Sequence, residues 1–340
     1  MHELPTITDV AIIGGGFAGV ATAWALARRG VAAVVLEREA APGRFASGRS
    51  AGLGRQLAED DATSALTIRG AELLRRELAP VWQPCGGILS FDRHEAADAY
   101  VARAARLGVA VERVDRAGVT ARWPDAAGLP IAAALYVPSD GVIDVGALLA
   151  TFARDIAIVC DARVALVEPS ARGVRLVTAR GPLEARLVVD AAGAWAGGLT
   201  GDPPLEAFKR HVYVLEVAGA GAPFLWHLGA DELYVRADAG GLLFSPCDAV
   251  ATAPADQVPD ATGEAMRRAR LATMASAWGD AAVVRAWACQ RAFTPSRTMR
   301  LGRDAARPWL VRAVGLGGHG ATASAAVGEV VADACVAALG

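Results

Sequence analysis

The chain has 340 residues, 54% of them hydrophobic, and a formal net charge of −2 at pH 7. This length suffices for two domains, and a near-neutral charge without blocks of like sign excludes the electrostatic footprint of nucleic-acid or anionic-membrane binding. No uninterrupted apolar run approaches the ~18 residues of a transmembrane helix, and the five scattered cysteines lack the paired spacing of zinc or redox sites. We therefore expect a soluble, cytoplasmic protein without a metal site, a nucleic-acid partner or an integral membrane segment.

The first informative segment is a predicted strand, glycine-rich turn and helix at residues 10–13, 14–19 and 20–29. Gly14 permits a tight turn, Gly16 lets the backbone approach a pyrophosphate, and Gly19 allows the helix to pack closely on the strand. Backbone N–H groups and the helix dipole then face the anion. No basic segment precedes this apolar run, so we predict a core strand rather than a signal peptide.

Glu37 follows a second predicted strand, residues 33–36, and lies 18 residues after Gly19. At that position a carboxylate can accept hydrogen bonds from an adenosine ribose, and it favours a free 2′-hydroxyl over a 2′-phosphate. The strand, turn, helix and distal acid together predict a dinucleotide site. They leave open whether the dinucleotide is NAD or FAD.

The remaining elements alternate between helices and strands, which predicts a mixed α/β fold. Helices are expected over residues 62–78, 95–107, 144–154 with an Asp144 cap, 266–278 and 322–339, with a short helix ending at residues 123–124. Strands are expected over residues 87–91, 109–114, 156–159, 164–167, 174–177, 183–189, 212–217, 233–235, 242–244, 283–287 and 310–314.

Two further turns favour FAD, because NAD binding needs only the first. In residues 190–195, Ala192 and Gly193 are small enough for the backbone to pass close to the first turn. Residues 315–322 lie at the start of the final helix, where free N–H groups and the positive dipole end can face the negative charge of a reduced flavin. An ordinary corner after a strand and a glycine-rich helix entry are the structural alternatives.

Five motifs, in order along the chain, resemble the glycine oxidase, sarcosine oxidase and D-amino-acid dehydrogenase family of FAD flavoproteins. They are the first turn with Glu37, Ser47-Gly48-Arg49-Ser50-Ala51-Gly52, Ala191-Ala192-Gly193-Ala194-Trp195, Trp287-Ala288-Cys289-Gln290-Arg291 and Gly317-Gly318-His319-Gly320. Within this family, the residues of these motifs are most similar to those of the D-arginine dehydrogenase branch. The resemblance implies a Rossmann-like FAD-binding domain with an inserted mixed β-sheet substrate domain. We place the FAD-binding domain at residues 1–85, 140–205 and 285–340. We place the substrate domain at residues 86–139 and 206–284.

The resemblance also implies which residues contact the FAD. They are Gly14, Gly16, Phe17, Ala18, Gly19, Glu37, Arg38, Ser47, Gly48, Arg49, Ser50, Gly52, Leu53, Val164, Ala192, Gly193, Cys289, Gly317, Gly318, His319, Gly320, Ala321 and Thr322. Cys289 occupies the position at which sarcosine oxidase bonds covalently to its flavin. We favour a small inert thiol and non-covalent FAD, with the covalent link as the alternative.

The expected reaction is hydride transfer from a substrate Cα–H to flavin N5, with the protein aligning the substrate. Arg291 is the candidate that binds an α-carboxylate, because a guanidinium can pair with it in two parallel hydrogen bonds. Tyr234 would add a second hydrogen bond, and Arg210 or His211 would line the same cavity. His319 could act as an acid or base, although we favour a structural placement in its loop.

Departures from the family limit the substrate. Gly86-Gly87 leaves nothing negative where the D-arginine branch has an acidic residue, so a basic substrate is not expected. Arg55 either receives an acidic group of the substrate or packs beside the flavin. The substrate is then a small amino acid, namely a D-amino acid, glycine or an N-methyl amino acid.

The electron acceptor is predicted from the single lysine, Lys209. Sarcosine oxidase activates oxygen with a lysine above the flavin ring, and Lys209 lies in a different segment. We therefore expect a dehydrogenase that uses a quinone or another acceptor, with oxygen as the alternative. A flavoenzyme for 2-hydroxy acids and a non-catalytic flavin-binding subunit are the competing functions.

Overall fold

The computed structural model describes residues 2–217, 223–274 and 276–340. The helices are α1 (Phe17–Ala27), α2 (Asp61–Glu77), α3 (His94–Leu107), α4 (Arg116–Arg122), α5 (Val145–Ala153), α6 (Ala261–Met274), α7 (Ser276–Gly279) and α8 (Gly320–Leu339). The strands are β1 (Ile7–Ile13), β2 (Ala33–Leu36), β3 (Leu53–Gly54), β4 (Trp82–Pro84), β5 (Gly87–Phe91), β6 (Glu112–Val114), β7 (Ala133–Val137), β8 (Gly141–Ile143), β9 (Ala157–Val159), β10 (Val164–Ser170), β11 (Gly173–Thr178), β12 (Gly181–Asp190), β13 (Glu206–Leu215), β14 (Phe224–Leu228), β15 (Leu233–Asp238), β16 (Gly241–Ser245), β17 (Val250–Ala251), β18 (Val283–Phe293), β19 (Arg300–Arg303) and β20 (Leu310–Val314).

The first sheet has a parallel centre in the order β9-β2-β1-β12, with β20 parallel to the end of β12. The antiparallel pair β10-β11 lies beside the first half of β12. Such a parallel centre is buried on both faces, which explains the continuous apolar runs of β1 and β2. The carboxyl ends of β1, β2 and β12 therefore meet at one edge, where the glycine turns begin.

The second sheet is mixed and has the order β17-β13-β16-β15-β14-β5-β7-β6, with β18 paired along the other side of β13. Strands β3, β8 and β4 form a third, small antiparallel sheet. The mixed α/β class expected from the sequence is confirmed. The domain boundaries drawn above stay a prediction.

Helix α8 lies in the core between α1 and α2. A Cβ on Gly328 would come within 2.4 Å of the Ala21 carbonyl oxygen, and one on Gly70 within 2.1 Å of the Thr322 carbonyl oxygen, so glycine at both positions permits the close packing. By length and composition, α8 is the single described helix that could cross a membrane. The inner face of α8 is buried in the apolar core, as expected of a core helix with this length and composition.

Helix termini follow the local signals closely. The Asp144 side chain accepts a hydrogen bond from Ala147 N at 2.9 Å, which confirms the predicted cap of α5. Asp60 caps α2 in the same way through Thr63 N. The helix expected over residues 266–278 is instead two helices, α6 and α7, and residue 275 between them lies outside the described residues.

The strand predictions were wrong chiefly in extent. Strand β18 runs to Phe293 rather than residue 287, and β13 begins at Glu206 rather than residue 212. These two strands pair along their whole length, and this pairing outweighs the low strand preference of the polar residues within them. Seven short strands were missed because their pattern does not alternate: β3, β4, β7, β8, β14, β17 and β19.

Candidate active site

The first glycine turn connects β1 to α1 and requires glycine for steric reasons. Gly14 has φ +107°, and a Cβ there would lie 2.5 Å from the Ala191 carbonyl oxygen. A Cβ on Gly19 would lie 1.9 Å from the Gly14 carbonyl oxygen, so Gly19 serves packing between helix and turn. The Phe17 N–H donates to Ser47 Oγ at 2.8 Å, which brings the Ser47 loop to the start of α1.

Glu37 organises this end of the site. Its Oε2 accepts a hydrogen bond from Gly15 N at 2.7 Å, and its Oε1 accepts one from Glu39 N at 2.9 Å. Each carboxylate oxygen keeps a further lone pair that can accept from a ribose hydroxyl. Arg38 stacks over the Trp195 ring at 3.9 Å and over Phe45 at 4.9 Å, and all three residues line the same cavity.

That cavity extends from the first turn to Arg291 and brings together residues from distant segments. The predicted residues that line it are Gly14, Gly16, Phe17, Ala18, Glu37, Arg38, Ser47, Arg49, Ser50, Gly52, Leu53, Arg55, Val164, Ala192, Gly193, Arg210, Tyr234, Cys289, Arg291, Gly317, Gly318, His319, Gly320, Ala321 and Thr322. Gly19 and Gly48 lie behind the lining. A Cβ on Gly48 would come within 2.3 Å of the Gly43 carbonyl oxygen, so Gly48 tightens the loop rather than contacting the cavity.

The third turn presents the start of α8 to the same cavity. Gly317 has φ +56°, and a Cβ there would lie 2.5 Å from the Phe293 ring. His319 is the N-cap residue of α8 and makes no side-chain cap, so the first N–H groups of the helix remain available to a ligand. Glycine cradles and helix starts at both ends of one cavity fit a long dinucleotide such as FAD.

The end of the cavity around Arg291, which is the predicted substrate end, is lined by several cationic and aromatic side chains. The guanidinium of Arg291, on β18, makes no hydrogen bond to the described residues, and its Nε is buried without a partner among them. Burial and the nearby charge of Arg210 lower the pKa of Arg291 to about 10. A guanidinium in this position is charged at neutral pH and has donors available for an anionic ligand.

Strand register explains how Tyr234 and Arg210 reach the same place. Arg210 on β13 pairs directly with Cys289 on β18, and Trp226 on β14 pairs directly with Tyr234 on β15. Directly paired residues project from the same face of a sheet. Burial raises the pKa of the Tyr234 phenol, which therefore remains a hydrogen-bond donor at neutral pH.

Arg210 is less available than Arg291. Its guanidinium donates to Asp248 O at 3.1 Å, to Cys247 O at 2.8 Å and to Cys247 Sγ at 3.2 Å. These bonds stabilise Cys247 at its positive φ of 51°. Arg210 thus contributes a fixed positive charge to the cavity wall.

His211 does not line the cavity, contrary to one of our expectations. The alternation of β13 turns it to the opposite face from Arg210. There it is fully buried, with Nδ1 bonded to Asp248 Oδ2 at 2.8 Å.

Arg55 belongs to a chain of hydrogen-bonded polar side chains that the sequence did not predict. It stacks over the Trp226 ring at 4.0 Å, and its Nη2 donates to Glu59 Oε1 at 2.6 Å. The other carboxylate oxygen, Oε2, lies 2.9 Å from His319 Nε2. Glu59 and Trp226 were not predicted from the sequence, because Arg55 and Glu59 lie in an irregular segment before α2 where no periodic pattern indicates a contact.

Cys289 lines the cavity and is buried. Burial raises the pKa of its thiol, although the charges of Arg291 and Arg210 oppose this effect. A protonated thiol is a weak nucleophile.

The chain matches the family described as "DAO: FAD dependent oxidoreductase" over residues 9–334, and it belongs to this family. Human mitochondrial sarcosine dehydrogenase is 30% identical over 242 residues, which are 63% of this chain and 26% of that protein. The tRNA 5-methylaminomethyl-2-thiouridine biosynthesis bifunctional protein MnmC of Thiobacillus denitrificans is 38% identical over 120 residues, 34% of this chain and 19% of that protein. The chain thus spans about a quarter or less of these curated relatives.

Solved structures agree with this chain over nearly its full length. L-proline dehydrogenase from P. horikoshii superposes with a TM-score of 0.88 at 22% identity, covering 97% of this chain and 93% of that one. Glycine oxidase from Geobacillus kaustophilus superposes with a TM-score of 0.85 at 24% identity, covering 98% and 95%. These likenesses establish the fold, and the fold class expected from the sequence is confirmed.

Proposed function

We propose that this protein oxidises the Cα–N bond of a small amino acid and works as a cytoplasmic dehydrogenase. The observation that carries the proposal is Arg291, a charged guanidinium without a partner among the described residues, at the end of the cavity that α8 also faces. An α-carboxylate would supply the missing partner. The Tyr234 hydroxyl would donate a second hydrogen bond to it.

Residues at both ends of the cavity would hold FAD. The turn around Gly14 and the Glu37 carboxylate suit its ADP part, while the start of α8 suits its flavin ring. When bound, FAD supplies a hydride acceptor at flavin N5. We propose that it is held non-covalently, since Cys289 is a buried thiol with a raised pKa.

The side chains at the substrate end favour an anionic or neutral substrate. Among the cavity-lining residues that the structure describes, Glu37 is the single carboxylate, and it lies at the opposite end. Arg55, Arg210 and Arg291 contribute positive charge. A basic substrate side chain would be repelled, in accord with the expectation drawn from Gly86-Gly87.

The same lining supports a second candidate, a 2-hydroxy acid dehydrogenase. A 2-hydroxy acid carries the carboxylate that Arg291 would bind but has no ammonium group, and no acidic side chain among the described lining residues is placed to pair with one there. A non-catalytic flavin-binding subunit would have no need of the unpaired Arg291.

An anaerobic photometric screen separates these functions. The purified protein, loaded with FAD, is mixed with D-amino, N-methyl-amino and 2-hydroxy acids, and bleaching is followed at about 450 nm. Bleaching by amino acids and slow reoxidation by air, but fast reoxidation by a quinone, is the expected result. Bleaching by 2-hydroxy acids alone would favour the second candidate, and no bleaching at all would contradict both.

A further inference from the structure

The cavity poses a problem of charge for an amino acid substrate. An amino acid in neutral solution carries an ammonium group, and the cations Arg210 and Arg291 in the cavity wall disfavour such a charge there. The electron pair on nitrogen must also be free before a hydride can leave the neighbouring Cα, because that pair stabilises the cation that forms. A base that removes the ammonium proton is therefore required near Arg291.

His319 lies close to the place where such a base is needed. It lines the cavity, and the preceding residue, Gly318, lies against the Arg291 guanidinium, since a Cβ on Gly318 would be 3.4 Å from Arg291 Nη1. A carboxylate bound at Arg291 would therefore lie beside the backbone of Gly318, the residue that precedes His319.

The bond to Glu59 determines which nitrogen of His319 is the base. A carboxylate can only accept a hydrogen bond, so Nε2, 2.9 Å from Glu59 Oε2, carries the hydrogen. In the neutral ring, Nδ1 then has the free lone pair, and it makes no hydrogen bond to the described residues. The negative charge of Glu59 also stabilises the imidazolium that forms when Nδ1 takes a proton.

Glu59 lies on the solvent side of this base. Its side chain is 58% exposed, whereas that of His319 is 12% exposed. Arg55 Nη2 binds the other carboxylate oxygen, and Arg103 Nη2 donates to the Glu59 carbonyl at 2.8 Å, so the carboxylate is held in position. The charges of Arg55 and His319 hold the pKa of the Glu59 carboxyl below its usual range, which keeps it ionised.

We propose that His319 is the catalytic base that deprotonates the substrate ammonium and that Glu59 is the positioning residue that orients it. The inference rests on the proposed function. In the step, one N–H bond of the ammonium breaks, its electron pair stays on the substrate nitrogen, and the proton bonds to His319 Nδ1. Nδ1 then releases this proton to water that enters the cavity after the product leaves, which restores the neutral ring with its hydrogen on Nε2.

Two measurements test this assignment. The first is the ring tautomer of His319 in the substrate-free protein by ¹⁵N NMR, for which we expect hydrogen on Nε2 at neutral pH. The second is the pH dependence of anaerobic FAD reduction by the best amino acid substrate. We compare the wild type with His319→Asn, Glu59→Gln and, as a matched control, Glu329→Gln, an ion-paired carboxylate on α8 that does not line the cavity.

We expect His319→Asn to lower the rate of FAD reduction about 100-fold at pH 7 and Glu59→Gln about 10-fold, while Glu329→Gln leaves it unchanged. The rates of both variants should rise about tenfold per pH unit toward the wild-type rate, because the free amine in solution then replaces the base. A loss that is equal at every pH would indicate a structural role and overturn the proposal. A wild-type pH profile in both variants would also overturn it, as would an NMR spectrum that places the hydrogen on Nδ1 of His319.

Failure of the proposed function gives a different result. If no amino acid reduces the wild-type protein, the proposed function falls, and the inference about the ammonium proton falls with it. If amino acids reduce the wild type and both variants alike, the inference alone falls.

Discussion

Arg291 shows how much one residue can depend on its surroundings. Its place in a Cys-Gln-Arg motif made it a candidate. Only the folded chain shows that Nε has no partner among the described residues and that the charge of Arg210 lies nearby. A charged group that the fold leaves unpaired costs stability, and a bound anion recovers it. This is the residue on which substrate binding should depend most.

Replacing Arg291 with alanine should raise KM for every carboxylate substrate about 10- to 100-fold, because the charge-assisted hydrogen bonds are worth about 1.5–3 kcal/mol. Lysine at this position should restore part of the affinity, since it keeps the charge but loses the paired geometry. Steady-state kinetics measure both, with Arg285→Ala, an exposed position on the same strand, as the control. An unchanged KM in Arg291→Ala would contradict the role.

The lowered pKa of Arg291 predicts a pH dependence of binding. Below about pH 10 the guanidinium is charged and binds a carboxylate, and as the pH rises through about 10 it loses the proton and the attraction. Spectral titration of the FAD-loaded protein with a carboxylate inhibitor such as benzoate should therefore show weaker binding at pH 10.5 than at pH 8. Equal affinity at both values would contradict the assignment of Arg291 as the carboxylate ligand.

Cys289 gives a residue-scale prediction about the cofactor. Acid precipitation of the yellow protein should leave all of the colour in the supernatant, since a buried thiol with a raised pKa does not readily form a bond to flavin. Cys289→Ser should retain FAD to the same extent. Colour that stays in the wild-type pellet and is lost from the Cys289→Ser pellet would establish the covalent alternative.

At the scale of elements, loops are positioned by buried polar contacts. Asp140, between β7 and β8, is fully buried, and its Oδ1 accepts hydrogen bonds from Gln56 N and Gln56 Nε2, both at 3.0 Å. This ties the β7–β8 loop to the segment that carries Arg55. In the part of the chain that the structure describes, its Oδ2 has no partner, and burial raises the pKa of Asp140 to about 7.

Asp140→Asn should stabilise the fold at pH 8 and have little effect at pH 4. In an unfolded chain the carboxyl loses its proton near pH 4, but in the fold only near pH 7, so its destabilising contribution grows between these values and is complete above about pH 7. We expect a gain of about 1–3 kcal/mol at pH 8. Urea unfolding at both pH values measures it, and an equal gain at pH 4 would contradict the explanation.

At the scale of the whole molecule, the cavity is bounded by both large sheets. Arg49 Nη1 donates to the carbonyls of Gln257 and Ala288, and Arg49 Nη2 pairs with Asp256. Trp287 Nε1 donates back to Arg49 O, and Arg236 Nε donates to Ala51 O. The loop that follows Ser47 therefore joins the two sheets across the cavity.

Removing FAD should therefore destabilise the whole chain rather than one loop. With free FAD at about 100 times its Kd, the cofactor adds about 2.7 kcal/mol of stability. Calorimetry should show that removal of the flavin lowers the Tm for the parts of the chain that form both large sheets. Added FAD should restore the original Tm. A Tm that does not change would contradict FAD binding in this cavity.

The sequence by itself determined the elements whose signals are local. The Gly14 turn, the Asp144 cap, the apolar strands of the parallel sheet and the acid at Glu37 were predicted because steric, capping and burial preferences act within a few residues. The family motifs extended this to the cofactor-lining residues, and most of them do line one cavity.

Tertiary structure alone decided the substrate end of the site. Arg291 and Arg210 meet because β13 and β18 pair over their whole length, and that register depends on backbone hydrogen bonds between segments about 80 residues apart. The chain from Arg55 through Glu59 to His319 joins residues about 260 positions apart. No local preference encodes such contacts, because they form only when the loops before α2 and α8 pack together around the cavity.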